Sequence, residues 1–246
     1  MLFMGNMIRH FPLIILAGGK SSRMGTPKGL LNYRGDFWLL EQLRRFKTAS
    51  GEQAVIVLGF HPEPYFEKIS WFRTAVNESV NQLGLNISVV VNPNPEYGQF
   101  SSLLSAISIL SVRPPGSGQL PEGPEFAFPE RRTPTPEGYF FIPGAFVLPV
   151  DVPGPKKEVY ERLTGVFGEP VEAVIPRYQS KGGHPVLLSQ AFLRRLATVS
   201  PASAEARLDL QIRSLPVDRV TFVPVDDAFV CLNMNSLDEF QSYSNQ

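Results

Sequence analysis

A short stretch near the start of the chain combines glycines with cationic side chains, a combination suited to binding phosphate groups. These residues are Gly18, Gly19, Lys20, Arg23, Gly25 and Lys28. Glycine lets backbone N–H groups approach a ligand closely, and Lys and Arg supply the charge that attracts phosphate oxygens. The spacing matches neither the P-loop nor the Gly-x-Gly-x-x-Gly fingerprint. The alternative interpretation is an ordinary glycine-rich turn whose cations are solvated.

The apolar run before this stretch indicates where the turn would stand. Residues 13–17, Leu-Ile-Ile-Leu-Ala, have the length and composition of a buried strand in a parallel sheet. A glycine-rich turn at the carboxyl end of the first strand of an α/β sheet is a common position for the phosphates of a nucleotide. We therefore expect a nucleotide to bind there.

Asp151 is the carboxylate best placed to bind a metal ion. It directly follows the strand-like run 145–149, and the ends of such strands line the ligand-binding crevice of an α/β sheet. Mg²⁺ prefers hard oxygen ligands, typically one or two carboxylates together with phosphate oxygens. An Asp before Val-Pro can instead be a simple turn residue, and the residues taken alone favour that interpretation.

Strand-like and helix-like runs alternate along the chain, which predicts an α/β fold. We expect a single domain over 1–246 with three layers, Rossmann-like, in which a mainly parallel sheet carries an antiparallel addition from the second half. The spacing of apolar residues over 62–83 predicts one helix, and the apolar run 229–232 predicts a strand.

Residues 113–138 interrupt the alternation with a segment rich in Pro and Gly. Such a composition cannot form a packed helix or a central strand. We expect an exposed insertion within the domain, mobile or disordered, with a lid or a partner-docking loop as the functional alternative.

Composition excludes several classes of protein. Lys and Arg together number 23, as do Asp and Glu, so no overall field would attract nucleic acid or an acidic membrane. Cys231 is the only cysteine, which excludes an intrachain disulfide and fits a reducing compartment. The sequence has neither a run of about 20 apolar residues nor the features of a signal peptide. We expect a cytoplasmic protein.

The stretch Leu-Ala-Gly-Gly-Lys-Ser-Ser-Arg-Met-Gly-x-Pro-Lys resembles the opening signature of the MobA-like nucleotidyltransferases. Members of that family move a nucleoside monophosphate from a nucleoside triphosphate to a phosphorylated acceptor, commonly molybdopterin, and release pyrophosphate. The resemblance implies a Mg²⁺-dependent enzyme of this kind that uses GTP or CTP. It places the nucleotide on Leu16, Ala17, Gly18, Gly19, Lys20, Ser21, Ser22, Arg23, Met24, Gly25 and Lys28.

Nucleotidyl transfer depends mainly on bringing anions together and neutralising their charge. Arg23 can make a forked contact with β- and γ-phosphate oxygens, and Lys28 can place a compact charge near the α-phosphate. Pro-Val-Asp-x-Pro resembles the family's metal-binding motif, which implies that Asp151 binds Mg²⁺. Asn233 or Asn235 would help through a carbonyl oxygen or a bound water. Arg23, Lys28 and Asp151 are thus the candidate catalytic residues.

Two further patterns are similar to the cytidylyltransferase branch of the family. In the first, Asn92 precedes a Gly-x-x-Ser-Ser-Leu run. This pattern adds Asn92, Gly98, Ser101 and Ser102 to the nucleotide-binding candidates. Simple N-capping of a helix explains these serines equally well. In the second, Lys-Gly-Gly-His-Pro-Val-Leu implies contact with the acceptor through Gly183, His184 and Pro185.

Both ends of the resemblance favour GTP over CTP. The opening Leu-Ala-Gly-Gly and the late Leu-Asn-Met-Asn-Ser-Leu-Asp are similar to the guanylyltransferases. We expect the base beside the backbone of residues 16–18, where a second glycine at Gly18 would widen the space for a purine. A clear preference would follow, because each buried polar group that the wrong base leaves unpaired costs about 1–3 kcal/mol.

Two other functions are compatible with these residues. The chain can be a nucleotidyltransferase for a sugar phosphate or a phospholactate, which would share the opening loop and differ in the acceptor pocket. It can also be a nucleotide-binding regulatory module without transfer. Two features support that alternative: the long insertion at 113–138, and the end Asn-x-Asn-Ser-Leu, which has Ser and Leu where the guanylyltransferase pattern has Thr and Pro.

Overall fold

The computed structural model describes residues 8–20, 25–110 and 142–245 of the 246-residue chain. The expectations for Ser21, Ser22, Arg23 and Met24, and for the Pro- and Gly-rich segment 113–138, concern residues outside these ranges. The other candidate site residues lie within them.

The strands and helices alternate as the sequence predicts. The strands are β1 Leu13–Ala17, β2 Asn32–Tyr33, β3 Asp36–Phe37, β4 Gln53–Leu58, β5 Val80–Gln82, β6 Leu85–Val91, β7 Gly144–Pro149, β8 Ala173–Tyr178, β9 Lys181–Gly182, β10 Val186–Ser189 and β11 Val220–Pro224. The helices are α1 Trp38–Thr48, α2 Glu63–Lys68, α3 Phe72–Asn77, α4 Gly98–Ile109, α5 Lys157–Gly165, α6 Gln190–Leu196, α7 Leu208–Arg213 and α8 Leu237–Ser244.

Within the described residues, nine strands form one sheet in the order β11-β8-β10-β7-β1-β4-β6-β5, with β9 paired to β8. The centre of the sheet, β7-β1-β4-β6, is parallel throughout. Strand β10 runs antiparallel to both β7 and β8, which is the predicted antiparallel addition from the second half. The opposite edge carries a further antiparallel strand, β5. The expectation of an α/β fold is confirmed.

Helices cover both faces of the sheet and give the expected three layers. Alternate residues of β1 point to opposite faces, as the pleat of a strand requires. Leu13, Ile15 and Ala17 belong to the core on one face, which packs against α1, α2, α3, α5 and α8. Ile14 and Leu16 belong to the second core, which packs against α4 and α6. The central strand is therefore buried on both sides, as its continuous apolar run predicted.

The single helix predicted over 62–83 is wrong. This region holds two short helices, α2 and α3, followed by the edge strand β5. Ile69 ends the first helix in an extended conformation, with φ −120° and ψ 95°. Leu83 and Gly84 have φ values of 55° and 72° and form the turn of the β5–β6 hairpin. Gly84 thus forms part of a hairpin turn, although its place in the sequence also matches the end of a helix.

The strand predicted over 229–232 is also wrong. Residues Ala228–Cys231 form a 3₁₀ helix. The Asp227 carboxylate accepts a hydrogen bond from the Phe229 N–H at 3.0 Å and caps that helix. A short apolar run does not distinguish a strand from a capped turn, and the local side-chain cap determines the outcome here. In the parts of the chain that the structure describes, no helix is long and apolar enough to cross a membrane.

Candidate active site

The carboxyl ends of the parallel strands bring three predicted segments to one edge of the sheet. Backbone hydrogen bonds continue past the strand ends there. The Val150 N–H donates to the Leu16 carbonyl oxygen at 3.1 Å, and the Asn92 N–H donates to the Leu58 carbonyl oxygen at 2.8 Å. The glycine turn, the Asn92 region and the Asp151 region therefore surround one crevice, which is where ligands of open α/β sheets bind.

Gly18 packs too tightly against its neighbours to open space for a purine. A Cβ atom at this position would lie 2.9 Å from Ser102 Oγ and 3.4 Å from the Cα of Gly59. A Cβ at Gly59 would in turn lie 2.5 Å from the Gly18 carbonyl oxygen. The glycine is needed for this close approach of two strand ends to α4. The expectation that Gly18 widens a base pocket is wrong, because the space beside it is filled by Ser102 and Gly59.

Asn92, Ser101 and Ser102 form a buried network behind the glycine turn. The Asn92 side-chain amide donates to Ser101 Oγ at 2.8 Å and to Ser102 Oγ at 3.1 Å. Its carbonyl oxygen accepts from the Asn94 N–H at 2.9 Å. All three side chains are at most 4% exposed. They hold β6 to α4 and support the turn, whereas Gly98 is exposed with φ +80° and is the member of this group open to a ligand. Direct nucleotide contact by the group stays a prediction.

Lys28 and Asp151, which are 123 residues apart in sequence, form an ion pair at the crevice. The Lys28 ammonium donates to Asp151 Oδ2 at 2.9 Å and to Asn235 Oδ1 at 3.2 Å. The two charged side chains are only 18% and 25% exposed. Candidates from three distant segments thus meet here, because Asp151 and Asn235 both contact the Lys28 ammonium. Their catalytic and metal-binding roles remain predictions.

The segment that carries Asn233 and Asn235 is fixed to Asp151 through its backbone. The Met234 N–H donates to the Asp151 carbonyl oxygen at 2.9 Å. Directly after it, Ser236 and Glu239 form a capping box at the start of α8. The Ser236 hydroxyl accepts a hydrogen bond from the Glu239 N–H at 3.2 Å and so caps the helix. The segment is therefore held in place by a hydrogen bond to Asp151 on one side and by a capped helix on the other.

Glu239 is a residue of this region that sequence reasoning missed. Its carboxylate accepts hydrogen bonds from the Asn235 and Ser236 N–H groups, which lower its pKa. The signal was available, because Ser-x-x-Glu before an amphipathic run is the pattern of a capping box. Its effect is to fix the backbone beside the candidate metal ligand Asn235.

The predicted acceptor loop lies on the other side of Asp151. The His184 N–H donates to the Val230 carbonyl oxygen at 2.8 Å. A Cβ on Gly183 would approach that same oxygen to 2.3 Å, so a glycine is required for the contact. Pro185 is buried and follows a cis peptide bond. The loop is therefore held closely against the 3₁₀ helix at 228–231.

One nitrogen of the His184 imidazole lacks a hydrogen-bonding partner among the described residues. Within the described residues, its buried Nδ1 has no partner. Burial lowers the pKa of His184, and a hydrogen bond with the Val147 backbone and the charge of Asp151 only partly oppose that effect. The ring is therefore neutral at pH 7 and keeps one buried nitrogen that no described residue binds.

Lys20 and Phe60 form a pair at the mouth of the crevice. The Lys20 ammonium lies over the Phe60 ring, 4.7 Å from its centroid. Phe60 follows the end of β4, and its N–H donates to the Gly18 carbonyl oxygen at 3.3 Å. Phe60 was not among the residues predicted from the sequence. The available signal was an aromatic residue directly after the glycine that follows a strand at this edge of the sheet.

The candidate metal ligands fit Mg²⁺ in their chemistry. Within the described residues, no three His, Cys, Asp or Glu side chains gather into a metal-binding cluster. The available oxygens are one carboxylate, Asp151, and the side-chain carbonyl of Asn235, and both already converge on the Lys28 ammonium. Hard oxygens in small number suit Mg²⁺, which completes its shell with water and substrate phosphate. A zinc site would need three or four His, Cys or carboxylate ligands together, and the described residues provide no such group.

Known proteins with similar sequences identify the family of this chain. Residues 13–217 match the family model of the MobA-like NTP transferase domain. A 50-residue segment is 48% identical to the molybdenum cofactor guanylyltransferase of Xanthomonas euvesicatoria pv. vesicatoria. That segment covers 20% of this chain and spans 26% of the relative's length.

Solved structures show the same fold over nearly the whole chain. Rv0371c of Mycobacterium tuberculosis has a TM-score of 0.62 at 21% identity, covering 96% of this chain and 98% of that one. It has also been solved in complex with manganese. The molybdopterin-guanine dinucleotide biosynthesis protein A of Archaeoglobus fulgidus has a TM-score of 0.58 at 16% identity, covering 96% and 97% of the two chains. These likenesses show the fold alone, whereas the family model covers most of the sequence. The chain belongs to the MobA-like NTP transferase family of nucleotidyltransferases.

Proposed function

We propose that this protein is a Mg²⁺-dependent guanylyltransferase that moves GMP from GTP to a phosphorylated acceptor, molybdopterin. The observation that carries the proposal is the convergence of Asp151 and Asn235 on Lys28 beside the glycine turn. One face of this cluster offers a cation and the other offers hard oxygens, which together suit a triphosphate and its metal ion.

The reaction exchanges one phosphoanhydride bond for another. An oxygen of the acceptor phosphate attacks the α-phosphorus of GTP in line, and the bond from that phosphorus to the bridging oxygen breaks. The electron pair of the broken bond leaves on pyrophosphate. Little covalent work falls to the protein, so its residues act by positioning the two anions and by neutralising their charge.

The Lys28 ammonium supplies the charge at the α-phosphate. It already sits between Asp151 and Asn235, so its position is fixed before substrate binds. Arg23, on the same turn, would bind the β- and γ-phosphates through its forked guanidinium. Backbone N–H groups of the glycine turn would complete the phosphate site.

A bound Mg²⁺ would neutralise the triphosphate and the leaving pyrophosphate, held by Asp151 with Asn235 or Asn233. The manganese complex of the M. tuberculosis protein supports a divalent ion in this fold. Lys28 now balances the Asp151 carboxylate, so a metal ion in contact with that carboxylate would release the ammonium to the phosphates.

The acceptor would lie against residues 183–185. His184 would contact the acceptor there, and a neutral imidazole does not trap an anionic acceptor as a cation would. Because Val186 pairs with Val147, this loop lies by the carboxyl end of β7, ahead of Asp151, and would bring an acceptor phosphate towards the α-phosphorus.

The preference for GTP rests on the guanylyltransferase-like ends of the sequence and on the name of the X. euvesicatoria relative. The cytidylyl-like serines do not oppose it, since Ser101 and Ser102 are buried and bonded to Asn92. With one cysteine in the chain, we place the enzyme in the cytoplasm, with no nucleic acid or membrane partner.

Pyrophosphate release measures this function directly. We expect Mg²⁺-dependent release from GTP in the presence of molybdopterin, at a rate at least about tenfold above that with CTP, the ratio that one lost buried hydrogen bond produces. A tenfold preference for CTP would overturn the choice of base. Release only with a sugar phosphate or a phospholactate would change the acceptor. No release with any acceptor, together with GTP binding, would favour a regulatory module.

A further inference from the structure

Two side chains of α1 bind the backbone that follows strand β7. The Trp38 indole N–H donates to the Val150 carbonyl oxygen at 2.7 Å. The Gln42 side-chain amide donates to the Val152 carbonyl oxygen at 2.6 Å, and its own oxygen accepts from the Gly154 N–H at 2.6 Å. The helix thus makes three hydrogen bonds to alternate residues of one short segment, 150–154.

The contacts follow from the repeat of the helix. Residues four apart lie on one face of a helix and about 6 Å apart along its axis. The segment after β7 is a turn, in which the Val152 N–H donates to the Pro149 carbonyl oxygen at 3.1 Å. Trp38 and Gln42 therefore hold this turn from one face of α1.

Gln42 is an unusual residue for its position. It is 0% exposed, on the same apolar face of α1 as Leu39, Leu43 and Phe46. A buried amide without partners would be costly, but here both of its polar ends bind the segment. A side chain on Gly154 would crowd Gln42 Oε1, which a Cβ would approach to 3.0 Å. Packing alone would be served by an apolar residue, so the amide is explained by the backbone that it binds.

Asp151 lies at the centre of this segment. Its neighbours Val150 and Val152 are 7% and 1% exposed, while the Asp151 side chain is 25% exposed and meets Lys28. On the opposite side, the Met234 N–H donates to the Asp151 carbonyl oxygen at 2.9 Å. The peptide groups around the carboxylate are therefore fixed by α1 and by the C-terminal segment.

The same helix also binds the C-terminal helix. Arg45, one turn beyond Gln42, donates to the Tyr243 hydroxyl at 2.5 Å and to the Gly154 carbonyl oxygen at 3.3 Å. The Trp38 ring packs edge-on against Phe240 and Tyr243. Helix α1 is thus the common support of the Asp151 segment and of α8, which follows Asn235.

We propose that Gln42 and Trp38 are positioning residues that aim the Asp151 carboxylate at the divalent metal ion. The proposal rests on the proposed function, since it assigns their role through the metal that Asp151 would bind. Loss of their hydrogen bonds would leave the backbone around Asp151 free to shift, and the metal site would loosen without any ligand being removed.

Affinity for Mn²⁺ alone, measured by electron paramagnetic resonance on the full chain, tests this. Gln42→Leu keeps the size of the side chain and removes all of its hydrogen bonds to the segment. We expect Mn²⁺ to bind roughly ten- to a hundredfold more weakly, the effect typical of lost support behind a metal ligand. In turnover, the half-saturating Mg²⁺ concentration should rise more than the KM for GTP.

Leu43→Ala is the matched control. Leu43 is also 0% exposed and adjacent on α1, but it has no polar atom that could bind the segment. It should lower the melting temperature at least as much as Gln42→Leu and leave the Mn²⁺ affinity within about twofold of wild type. An equal loss of affinity in the two variants would show a general effect of destabilisation and would overturn the proposal.

Trp38→Phe provides a second variant, which loses the donor to Val150 and keeps most of the ring packing. It decides the matter if Gln42→Leu does not fold, and it too should weaken Mn²⁺ binding.

Asp151→Asn separates this proposal from the function on which it rests. If that variant loses Mn²⁺ while Gln42→Leu and Trp38→Phe bind it normally, only the positioning role fails. If Asp151→Asn binds Mn²⁺ as wild type does, the metal site itself is wrong.

Discussion

The two sides of the candidate site are built by different means. On the nucleotide side, the glycine turn, Asn92 and Asp151 each follow a parallel strand, so the topology of the sheet alone brings them to one edge. On the acceptor side, residues 183–185 lie between the antiparallel strands β9 and β10. Their position depends on the contact of His184 with Val230, which lies 46 residues further along the chain. The topology of the sheet does not predict that contact.

The chemistry of the two sides differs in the same way. The nucleotide side presents charged groups, Lys28 and Asp151, that are partly exposed and paired with each other. The acceptor side presents a neutral imidazole, whose free nitrogen is buried. Changes on the first side should therefore reduce catalysis strongly, whereas changes on the second should mainly affect recognition of the acceptor.

The largest effect should come from Asp151→Asn. It retains the size of the side chain and removes the charge that Mg²⁺ requires, so we expect turnover to fall roughly a hundred- to a thousandfold, as for other lost electrostatic contacts. Stability should change by about 1 kcal/mol or less, because a partly exposed ion pair contributes little. Steady-state pyrophosphate release and thermal unfolding measure the two quantities.

Asp209→Asn is the control for that change, since it removes an exposed carboxylate paired with Arg207 on α7. It should leave turnover at the wild-type level. Turnover by Asp151→Asn equal to that of the control, or turnover that a chelator does not affect, would contradict the metal mechanism.

Arg23→Ala and Lys28→Ala should each reduce turnover by about a hundredfold with little change in stability. The Lys28 variant also sharpens the comparison within the nucleotide side. Without the ammonium that now occupies Asp151 Oδ2 and Asn235 Oδ1, Mn²⁺ should bind as tightly as in wild type or more tightly, while the KM for GTP rises. Isothermal titration with Mn²⁺ and with GTP separates these effects. Wild-type turnover in both variants would show that the turn does not bind the triphosphate.

His184→Gln should affect the acceptor side alone. The amide keeps one hydrogen-bonding end, so we expect the KM for the acceptor to rise about tenfold, the equivalent of one lost hydrogen bond, with the KM for GTP within twofold of wild type. The matched control is His10→Gln, at an exposed position before the amino end of β1, which lies at the opposite edge of the sheet. An equal rise in both KM values would place His184 on the nucleotide side.

The same variant should change the pH dependence of stability. Burial lowers the pKa of His184 from its ordinary 6.5, so the unfolded chain binds more protons than the folded one between the folded-state pKa and 6.5. The free energy of unfolding should therefore fall as the pH drops below 6.5, and the charge of the neighbouring Asp151 should moderate that fall. His184→Gln should flatten this part of the profile in urea unfolding between pH 7 and pH 5. An unchanged slope would indicate that the ring titrates as an ordinary surface histidine.

Strand ends and charged residues could be predicted from the sequence because each has a local signal. The apolar runs 13–17 and 145–149 were enough to predict that the segments beyond them, the glycine turn and Asp151, share one edge of the sheet. The support behind them was not predicted. The sequence around Gln42 gives no sign that its amide is buried, and only the position of α1 over segment 150–154 shows what that amide binds.

The smallest effect on turnover should come from Gly18→Ala, which tests whether this glycine determines the base. Its Cβ would lie 2.9 Å from Ser102 Oγ, so either the serine or the turn must move, and we expect a loss of about 1–3 kcal/mol of stability. Because the space beside Gly18 is already filled by Ser102 and Gly59, the ratio of GTP to CTP turnover should stay within twofold of wild type. Ser102→Ala alone would cost about 1 kcal/mol through the hydrogen bond that Asn92 loses. The double variant should lose less stability than the sum of the two, because the second change removes the atom that the first one meets. Urea unfolding of the four proteins measures that coupling, and a switch of Gly18→Ala towards CTP would restore the glycine as a determinant of the base.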